Sequence, residues 1–236
     1  MTLALDAAAA DEPPLLTSTR VLVHAGHSIP AAALKDPQLA AWVHSHGVSV
    51  TARDDHDLDL VRQHEVRVVQ VVYRCGTSTA ALHRAVALGV SRFIVSTAQH
   101  MAQIADHASA TKYLSLDDQA PLMLGDKRLK VIGLHTEVND CDQATEWACA
   151  AERLVSRSAV LKACGSTIKR ITLSGGSTQF WLASDAAQAG IIEAVGQAVR
   201  EQCDHWHLPR PAVTLAALIV ADGADPGIRS SAHRRR

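Results

Sequence analysis

The chain has 236 residues, of which 47% are apolar and 20% charged, and its formal net charge is −1. That length suits one large α/β domain, and so balanced a charge excludes an overall attraction to nucleic acid or to an anionic membrane. Aromatic residues make up only 3% of the chain, so the core must consist mainly of Ala, Val, Leu and Ile. Small and branched aliphatic residues are typical of helices packed closely on a parallel sheet.

The predicted elements alternate along the chain. In order, the predicted strands cover residues 19–25, 48–52, 66–73, 93–96, a short segment near 111–114, 130–135, 170–174 and 213–221. The predicted helices between them cover residues 37–45, 55–64, 78–88, 99–107, 144–164 and 186–205. Strands that alternate with helices in this way predict a parallel sheet. At least seven strands in one chain favour a parallel (β/α)8 TIM-type barrel.

The two ends of the chain differ in composition from the middle. Residues 1–17 are rich in alanine, then acidic, and are predicted to form a flexible leader. Residues 18–225 are predicted to form one domain, and residues 226–236, which end in three arginines, a basic flexible tail.

The cysteines and the hydropathy pattern bear on the compartment. Five cysteines are scattered without a CxxC pair, and the first residues lack the basic and apolar regions of a signal peptide. No run of apolar residues is long enough to span a bilayer. We therefore expect a cytoplasmic protein with no membrane and no nucleic-acid partner.

Two stretches carry a resemblance to a known family. One is Gly76-Thr77-Ser78 with the AALHRAVALGVSRFIVS that follows, and the other is VIGLHTEVND at 131–140. Weaker matches occur in the same order at 112–113, 173–176 and 214–223. Over about residues 19–223 the chain resembles the barrel domain of the fold-type III PLP-dependent decarboxylases, which act on diaminopimelate, ornithine and arginine. It is most similar to diaminopimelate decarboxylase.

The resemblance implies an alanine-racemase/decarboxylase-like barrel with pyridoxal phosphate (PLP) as cofactor and a PLP-dependent carboxy-lyase activity. The family's Schiff-base lysine, in a "YAVKAN" motif, falls here at His24 or Ala25. Neither residue can form an imine with an aldehyde. The nearest lysine is Lys35, about ten residues further on and beyond Pro30, and it is the one remaining candidate for a catalytic residue.

Other family positions are also replaced. In "GLHxHIGS" the second histidine stacks on the pyridine ring, and here it is Glu137; Asp140 follows, where a phosphate would be repelled. The glutamate that pairs with the pyridinium nitrogen falls at Thr214, and the arginine that helps to hold the phosphate falls at Ala217. The family's lysine, stacking histidine, pyridinium-binding glutamate and phosphate-binding arginine are therefore all replaced.

The residues left for binding the cofactor are His135 and the glycine turn Ser174-Gly175-Gly176. The backbone N–H groups of that turn are predicted either to cradle an anion or simply to allow a tight strand-to-helix turn. A metal site from His24, His135 and Asp140 has no HExxH or HxH spacing to support it, so no metal is predicted.

Two functions follow as hypotheses. The first is a divergent, non-catalytic decarboxylase-like barrel, without the Schiff-base lysine and the family's C-terminal β-domain, that binds a small metabolite or a protein partner. The alternative is a PLP-dependent amino-acid decarboxylase of the lysine or polyamine pathways with a displaced lysine. As in the family, the assembly expected is a homodimer. The register also predicts one shared cavity near Ala25, Glu137, Ser174 and Thr214.

Overall fold

The computed structural model describes residues 26–121, 126–182 and 186–220. Eight parallel strands close into a barrel, each paired with the next along the chain and β8 paired with β1. The predicted parallel (β/α)8 TIM-type fold is therefore confirmed. The strands are β1 Gly26–Pro30, β2 Ser49–Ala52, β3 Val71–Arg74, β4 Arg92–Val95, β5 Lys112–Asp117, β6 Leu129–Glu137, β7 Arg170–Ser174 and β8 Ala212–Ala216.

Seven α-helices connect these strands in the described part of the chain. They are α1 Pro37–His46, α2 Asp55–Gln63, α3 Thr79–Ala87, α4 Ala98–His107, α5 Ala144–Ala163, α6 Thr178–Leu182 and α7 Ala186–His205. Short 3-10 helices precede α1, at Ala31–Lys35, and β3, at Val68–Gln70. No helix in these ranges combines the length and the apolar character needed to cross a bilayer.

Local sequence signals account for the helix ends. Asp36 accepts hydrogen bonds from the backbone N–H groups of Gln38 and Leu39 and begins α1, and Gly47 ends that helix with a φ of +67°. Ser78 caps α3 and Thr97 caps α4 in the same way, through their hydroxyl groups. These side chains satisfy N–H groups that would otherwise lack a partner at the first turn.

The first strand lies later in the sequence than predicted. The segment 19–25, with His24 and Ala25, lies outside the described residues, and the first place in the barrel is taken by Gly26–Pro30. Gly26–Pro30 was not predicted as a strand, because "GHSIP" has a weak apolar pattern. Strand pairing with β2 and β8 outweighs that weak local pattern.

The third strand is shorter than predicted, because the apolar run 66–73 is divided. Its first part forms a 3-10 helix in which Val69 is exposed, and only Val71–Arg74 pairs in the sheet. The buried Gln70 amide explains the break, since its Nε2 donates to the carbonyl oxygens of Val43 and Val48 at 3.1 and 3.0 Å. A straight strand through this segment would lose both of these hydrogen bonds, although the Val43 carbonyl would keep the one from the Gly47 N–H.

Two further strands differ in length from the prediction. The segment near 111–114 is a full six-residue strand, Lys112–Asp117, and β8 ends at Ala216 rather than at residue 221, which lies outside the described residues. After Ala216 the chain leaves the sheet, and the Leu218 N–H donates to the Gly176 carbonyl. The other strands and helices agree with the prediction to within a few residues at each end.

The barrel interior is unusually polar for this architecture, in which branched aliphatic side chains commonly fill the centre. Hydroxyl side chains from five strands line an internal cavity of about 60 Å³. Ser28 Oγ and Thr51 Oγ1 are 2.7 Å apart across that space. The hydrophobic core lies instead between the barrel and the surrounding helices, where Trp147, Tyr73 and Phe93 are fully buried.

Candidate active site at the barrel mouth

Polar residues end several barrel strands at one rim. Arg74, Asp117, Glu137 and Ser174 are the last residues of β3, β5, β6 and β7. Since all strands are parallel and the barrel is closed, these carboxyl ends meet at one opening, which we call the barrel mouth. In barrels of this type the carboxyl ends of the strands carry the chemistry.

A hydrogen-bonded relay crosses the mouth from β5 to β7. His135 Nδ1 lies 3.1 Å from Asp117 Oδ1, and His135 Nε2 lies 2.9 Å from Ser174 Oγ. The imidazole is 1% exposed and Ser174 is 6% exposed, so both are shielded from bulk water. We call Ser174, His135 and Asp117 the relay.

Asp117 is the most connected carboxylate of the mouth. Ser96 Oγ donates to its Oδ2 at 3.0 Å, and the Asp118 N–H donates to its Oδ1 at 3.1 Å. Burial favours the neutral acid, but the hydrogen bond and charge of His135, with the bonds from Ser96 and Asp118, lower the pKa of Asp117 to about 2. Asp117 is therefore ionised at neutral pH.

A partly exposed ion pair lies beside the relay. The Arg74 guanidinium donates from Nη1 to Glu137 Oε1, and its Nη2 lies 3.9 Å from Asp117 Oδ2. The two side chains are 23% and 34% exposed, so a solute can reach both. The mouth thus presents one guanidinium between two carboxylates.

His135 and Ser174, whose imidazole and hydroxyl groups were predicted to bind a cofactor, lie next to each other. His135 and Ser174 are in hydrogen-bond contact, and both line a small cavity at the mouth with Arg53, Arg74 and Ala217. Their role in binding a cofactor stays a prediction.

The glycine turn has a structural use in this fold. The Gly175 N–H donates to the Ala216 carbonyl at 2.9 Å, and the Gly176 N–H donates to Cys141 Sγ at 2.8 Å. Gly176 also has a φ of +68°, which favours glycine. Both N–H groups that were predicted to face an anion are therefore engaged within the chain.

Three of the four positions predicted to share a cavity lie close together. Ser174 and Thr214 line the same internal cavity, and Glu137 is paired with Ser174 in the sheet register. Ala217, which replaces the family's arginine, also lines the mouth. Ala25 lies outside the described residues, and the β1 residues that line the interior and the mouth are Ser28 and Pro30.

No lysine lines the cavity at the barrel mouth. The chain has six of them, all within the described residues. Lys35 is exposed at the end of the 3-10 helix that follows β1. Lys112 is buried at the start of β5, where its Nζ donates to the Val90 carbonyl at 2.7 Å. The other four lie before or at the amino ends of strands or on α5, at positions 127, 130, 162 and 169.

The residues present do not fit PLP held through a lysine. No lysine side chain lines the mouth, and both candidate phosphate-binding N–H groups of the glycine turn already donate to the chain. The carboxylates of Asp117 and Glu137 add negative charge beside the position where a phosphate would have to lie.

Three further residues near the carboxyl ends of the strands are held by contacts within the chain or are shielded by burial. Cys75 is buried, and burial raises the pKa of its thiol to about 12, which keeps it protonated. Trp181 is buried and its Nε1 donates to the Gly175 carbonyl at 2.8 Å. Asp140 is exposed and accepts from Gln143. Among the described residues no three His, Cys, Asp or Glu side chains could together hold a metal ion.

The sequence analysis missed Arg74 and Asp117, although a signal for both was present. Each is the first charged side chain after an apolar strand pattern, "VVY" before Arg74 and "LSL" before Asp117. A search for polar residues directly after each predicted strand, rather than for family motifs alone, would have selected them.

Comparisons with known proteins agree with the fold. No protein-family model matches the chain, and no curated protein matches its sequence. Solved structures do match. Lysine decarboxylase from Selenomonas ruminantium is 14% identical, with a TM-score of 0.66 over 88% of this chain and 59% of its own.

Two further solved structures give the same result. Diaminopimelate decarboxylase from M. jannaschii, in complex with L-lysine, is 10% identical, with a TM-score of 0.71 over 88% of this chain and 57% of its own. The arginine decarboxylase of Paramecium bursaria Chlorella virus is 12% identical, with a TM-score of 0.69 over 88% and 61%. The chain thus has the barrel of these decarboxylases and spans about three fifths of their length.

Replacement of Gly175 by alanine is expected to destabilise the fold. A Cβ at this position would lie 2.9 Å from both Cys141 Sγ and Trp147 Cζ2, and Trp147 is fully buried. Overpacking of this kind costs about 1 to 3 kcal/mol. In Gly190→Ala on α7 the new Cβ meets nothing within 4 Å, so that control should gain about 0.5 to 1 kcal/mol. Urea unfolding measures both, and equal stability of the two variants would contradict the close packing.

Replacement of Asp117 by asparagine is expected to lower stability in a pH-dependent way. A pKa lowered from 3.8 to about 2 corresponds to about 2 kcal/mol at neutral pH. This contribution is complete above the pKa of the unfolded state and is lost as the pH falls through about 2. The difference between wild type and Asp117→Asn in urea unfolding should therefore shrink in acid. The exposed control Asp204→Asn should show little difference at any pH, and a constant deficit for Asp117→Asn would refute the ionisation.

Proposed function

We propose that this chain is a decarboxylase-like barrel that performs no PLP-dependent decarboxylation and binds a small polar metabolite at the barrel mouth. The observation that carries the proposal is the set of side-chain groups at the barrel mouth. It holds a guanidinium, two carboxylates, an imidazole and hydroxyl groups, but no amine.

The metabolite proposed carries both a cationic and an anionic group, as amino acids do. The partly exposed Glu137 carboxylate suits an ammonium group, and the Arg74 guanidinium suits a carboxylate. Arg53 lines the same cavity with a side chain that is 44% exposed, which adds a second cation. A zwitterion can replace the Arg74–Glu137 contact with two contacts of its own.

The alternative function is a PLP-dependent amino-acid decarboxylase with a displaced lysine. It rests on the shared fold, and on a similar solved structure, SrLDC, which is a complex with PLP and cadaverine. In this chain the lysine that forms the imine with PLP would have to be Lys35. Lys35 is exposed at the end of the 3-10 helix after β1 and does not contact the relay. The contacts of the mouth favour binding over this chemistry.

Partner and compartment are also proposals. No contact of the described residues favours a protein partner or a homodimer over the metabolite, so the metabolite is preferred. A reducing cytoplasm is proposed because all five cysteines are free thiols.

Incubation with PLP followed by borohydride reduction tests the absence of family chemistry. We expect that borohydride traps no PLP adduct on Lys35. We also expect that the protein releases no carbon dioxide from lysine, ornithine, arginine or diaminopimelate. The reason is that no amine reaches the mouth. The matched variants are Lys35→Ala and Lys127→Ala, which each remove one exposed lysine. An adduct and carbon dioxide release that survive Lys127→Ala but not Lys35→Ala would establish the alternative instead.

Calorimetric titration with the same four amino acids tests the binding site. We expect at least one of them to bind, and Glu137→Gln to weaken that binding by about tenfold or more because a charge-assisted hydrogen bond is lost. Glu193→Gln changes an exposed glutamate on the outer helix α7 and should bind as wild type does. Absence of binding by wild type, or equal loss in both variants, would rule out this metabolite class at the mouth.

A further inference from the structure

The relay has the order of contacts found in nucleophilic serine sites. Ser174 Oγ contacts His135 Nε2 at 2.9 Å, and His135 Nδ1 contacts Asp117 Oδ1 at 3.1 Å. A serine becomes a nucleophile when a base lies within about 2.6 to 3.2 Å and a third group orients that base. Such sites are recognised by geometry and roles rather than by fold or by order in the chain.

The carboxylate of Asp117 determines which nitrogen of His135 can act as a base. An ionised carboxylate accepts hydrogen bonds only, so Nδ1 must carry the proton that it receives. Nε2 then presents its lone pair to the Ser174 hydroxyl. The imidazole is therefore already oriented to take the serine proton.

Several contacts hold Asp117 in place for this role. Ser96 Oγ and the Asp118 N–H bond its two oxygens, and Arg157 from α5 donates to the Asp117 carbonyl at 2.7 Å. Arg157 also donates to the Ala120 carbonyl at 2.6 Å. The end of β5 is thus fixed from both the side chain and the backbone, which is the support that a catalytic relay needs.

Two arginines lie around Ser174, and the space beside it is small. Ser174 and His135 line one cavity with Arg53 and Arg74, although Arg74 also contacts the carboxylates of Glu137 and Asp117 and Arg53 lies 3.7 Å from Asp57. Positive charge beside the reacting atom stabilises a carbonyl oxygen as it becomes negative. The cavity measures about 10 Å³, which is the space of about one water molecule, so the smallest acyl groups are the ones expected to react.

We propose that Ser174, His135 and Asp117 form a nucleophilic relay that hydrolyses small carboxylic esters at the barrel mouth. The inference goes beyond metabolite binding and needs no PLP. Ser174 and His135 are the catalytic residues proposed, and Asp117 is a positioning residue that acts through His135.

The chemical steps balance without a further reactant. Ser174 Oγ attacks the ester carbonyl carbon and His135 Nε2 takes its proton. The C–O bond of the ester breaks, and the alcohol leaves with that proton, so the acyl group is left on Ser174. Water then attacks the acyl carbon, and His135 takes a proton from the water and returns it to Ser174 as the carboxylic acid leaves.

Hydrolysis of p-nitrophenyl acetate tests the relay in the full chain. Wild type should hydrolyse this ester, and Ser174→Ala and His135→Gln should lower the rate above background by about 10²-fold or more. Ser158→Ala is the matched control, since Ser158 is a buried serine at 7% exposure on α5 whose hydroxyl bonds only the Leu154 carbonyl. That variant should keep the wild-type rate, and p-nitrophenyl octanoate should react far more slowly than the acetate.

The positioning role of Asp117 has a separate readout. Asp117→Asn should lower kcat for p-nitrophenyl acetate and leave KM nearly unchanged, because the residue does not touch the ester. A general loss of structure would change KM as well as kcat, whereas the lower stability already expected for Asp117→Asn leaves KM unchanged at temperatures where the variant is folded.

Labelling with methanesulfonyl fluoride, a serine reagent about as small as an acetyl ester, decides the proposal even if a variant fails to fold. The expected result is one methanesulfonylated residue in wild-type protein, mapped to Ser174 by peptide mass spectrometry. An unlabelled Ser174, or hydrolysis by Ser174→Ala at the wild-type rate, would overturn the proposal. Neither result depends on whether amino acids bind at Glu137.

Discussion

Closure of the barrel by the pairing of β8 with β1 is the constraint on which the site depends. Gly26 pairs with Thr214 and Ser28 with Ala216, and this joins the two ends of the sheet. Because every strand is parallel, closure brings all the carboxyl ends to one rim. Arg74 and Ser174, separated by 100 positions in the numbering, therefore line one cavity. An open sheet of the same strands would leave the first and last of them far apart.

The polar groups inside the barrel explain how buried ionisable residues are tolerated at its mouth. An isolated buried charge is costly unless it is paired and hydrogen-bonded. Asp117 satisfies that condition through His135, Ser96 and Asp118, while Glu137 is balanced by Arg74. The arrangement places oriented polar groups at the position where the similar decarboxylases have the corresponding end of their barrels. No lysine is among these groups, and one fold can carry different chemistries.

Local patterns in the sequence were sufficient for much of the fold. Caps such as Asp36, Ser78 and Thr97 and the stop at Gly47 fix helix ends through bonds within a few residues, and these ends were predictable. The first strand was not, because "GHSIP" at 26–30 has a weak apolar pattern of its own. The break before β3 depends on the contacts of Gln70 with Val43 and Val48, which are more than twenty positions away. Register and strand bounds therefore follow from tertiary contacts that no local window contains.

The site divides in the same way. By itself the sequence determined the alternation of strands and helices and the closed-barrel class, and it predicted His135 and Ser174 as candidate site residues. Only the tertiary structure decided that His135 bridges Ser174 and Asp117, that Arg74 pairs with Glu137, and that the N–H groups of the glycine turn are already engaged. The physical reason is range: helix caps and hydropathy periods act between near neighbours. A hydrogen bond of about 3 Å between residues on different strands exists only after barrel closure has set their positions.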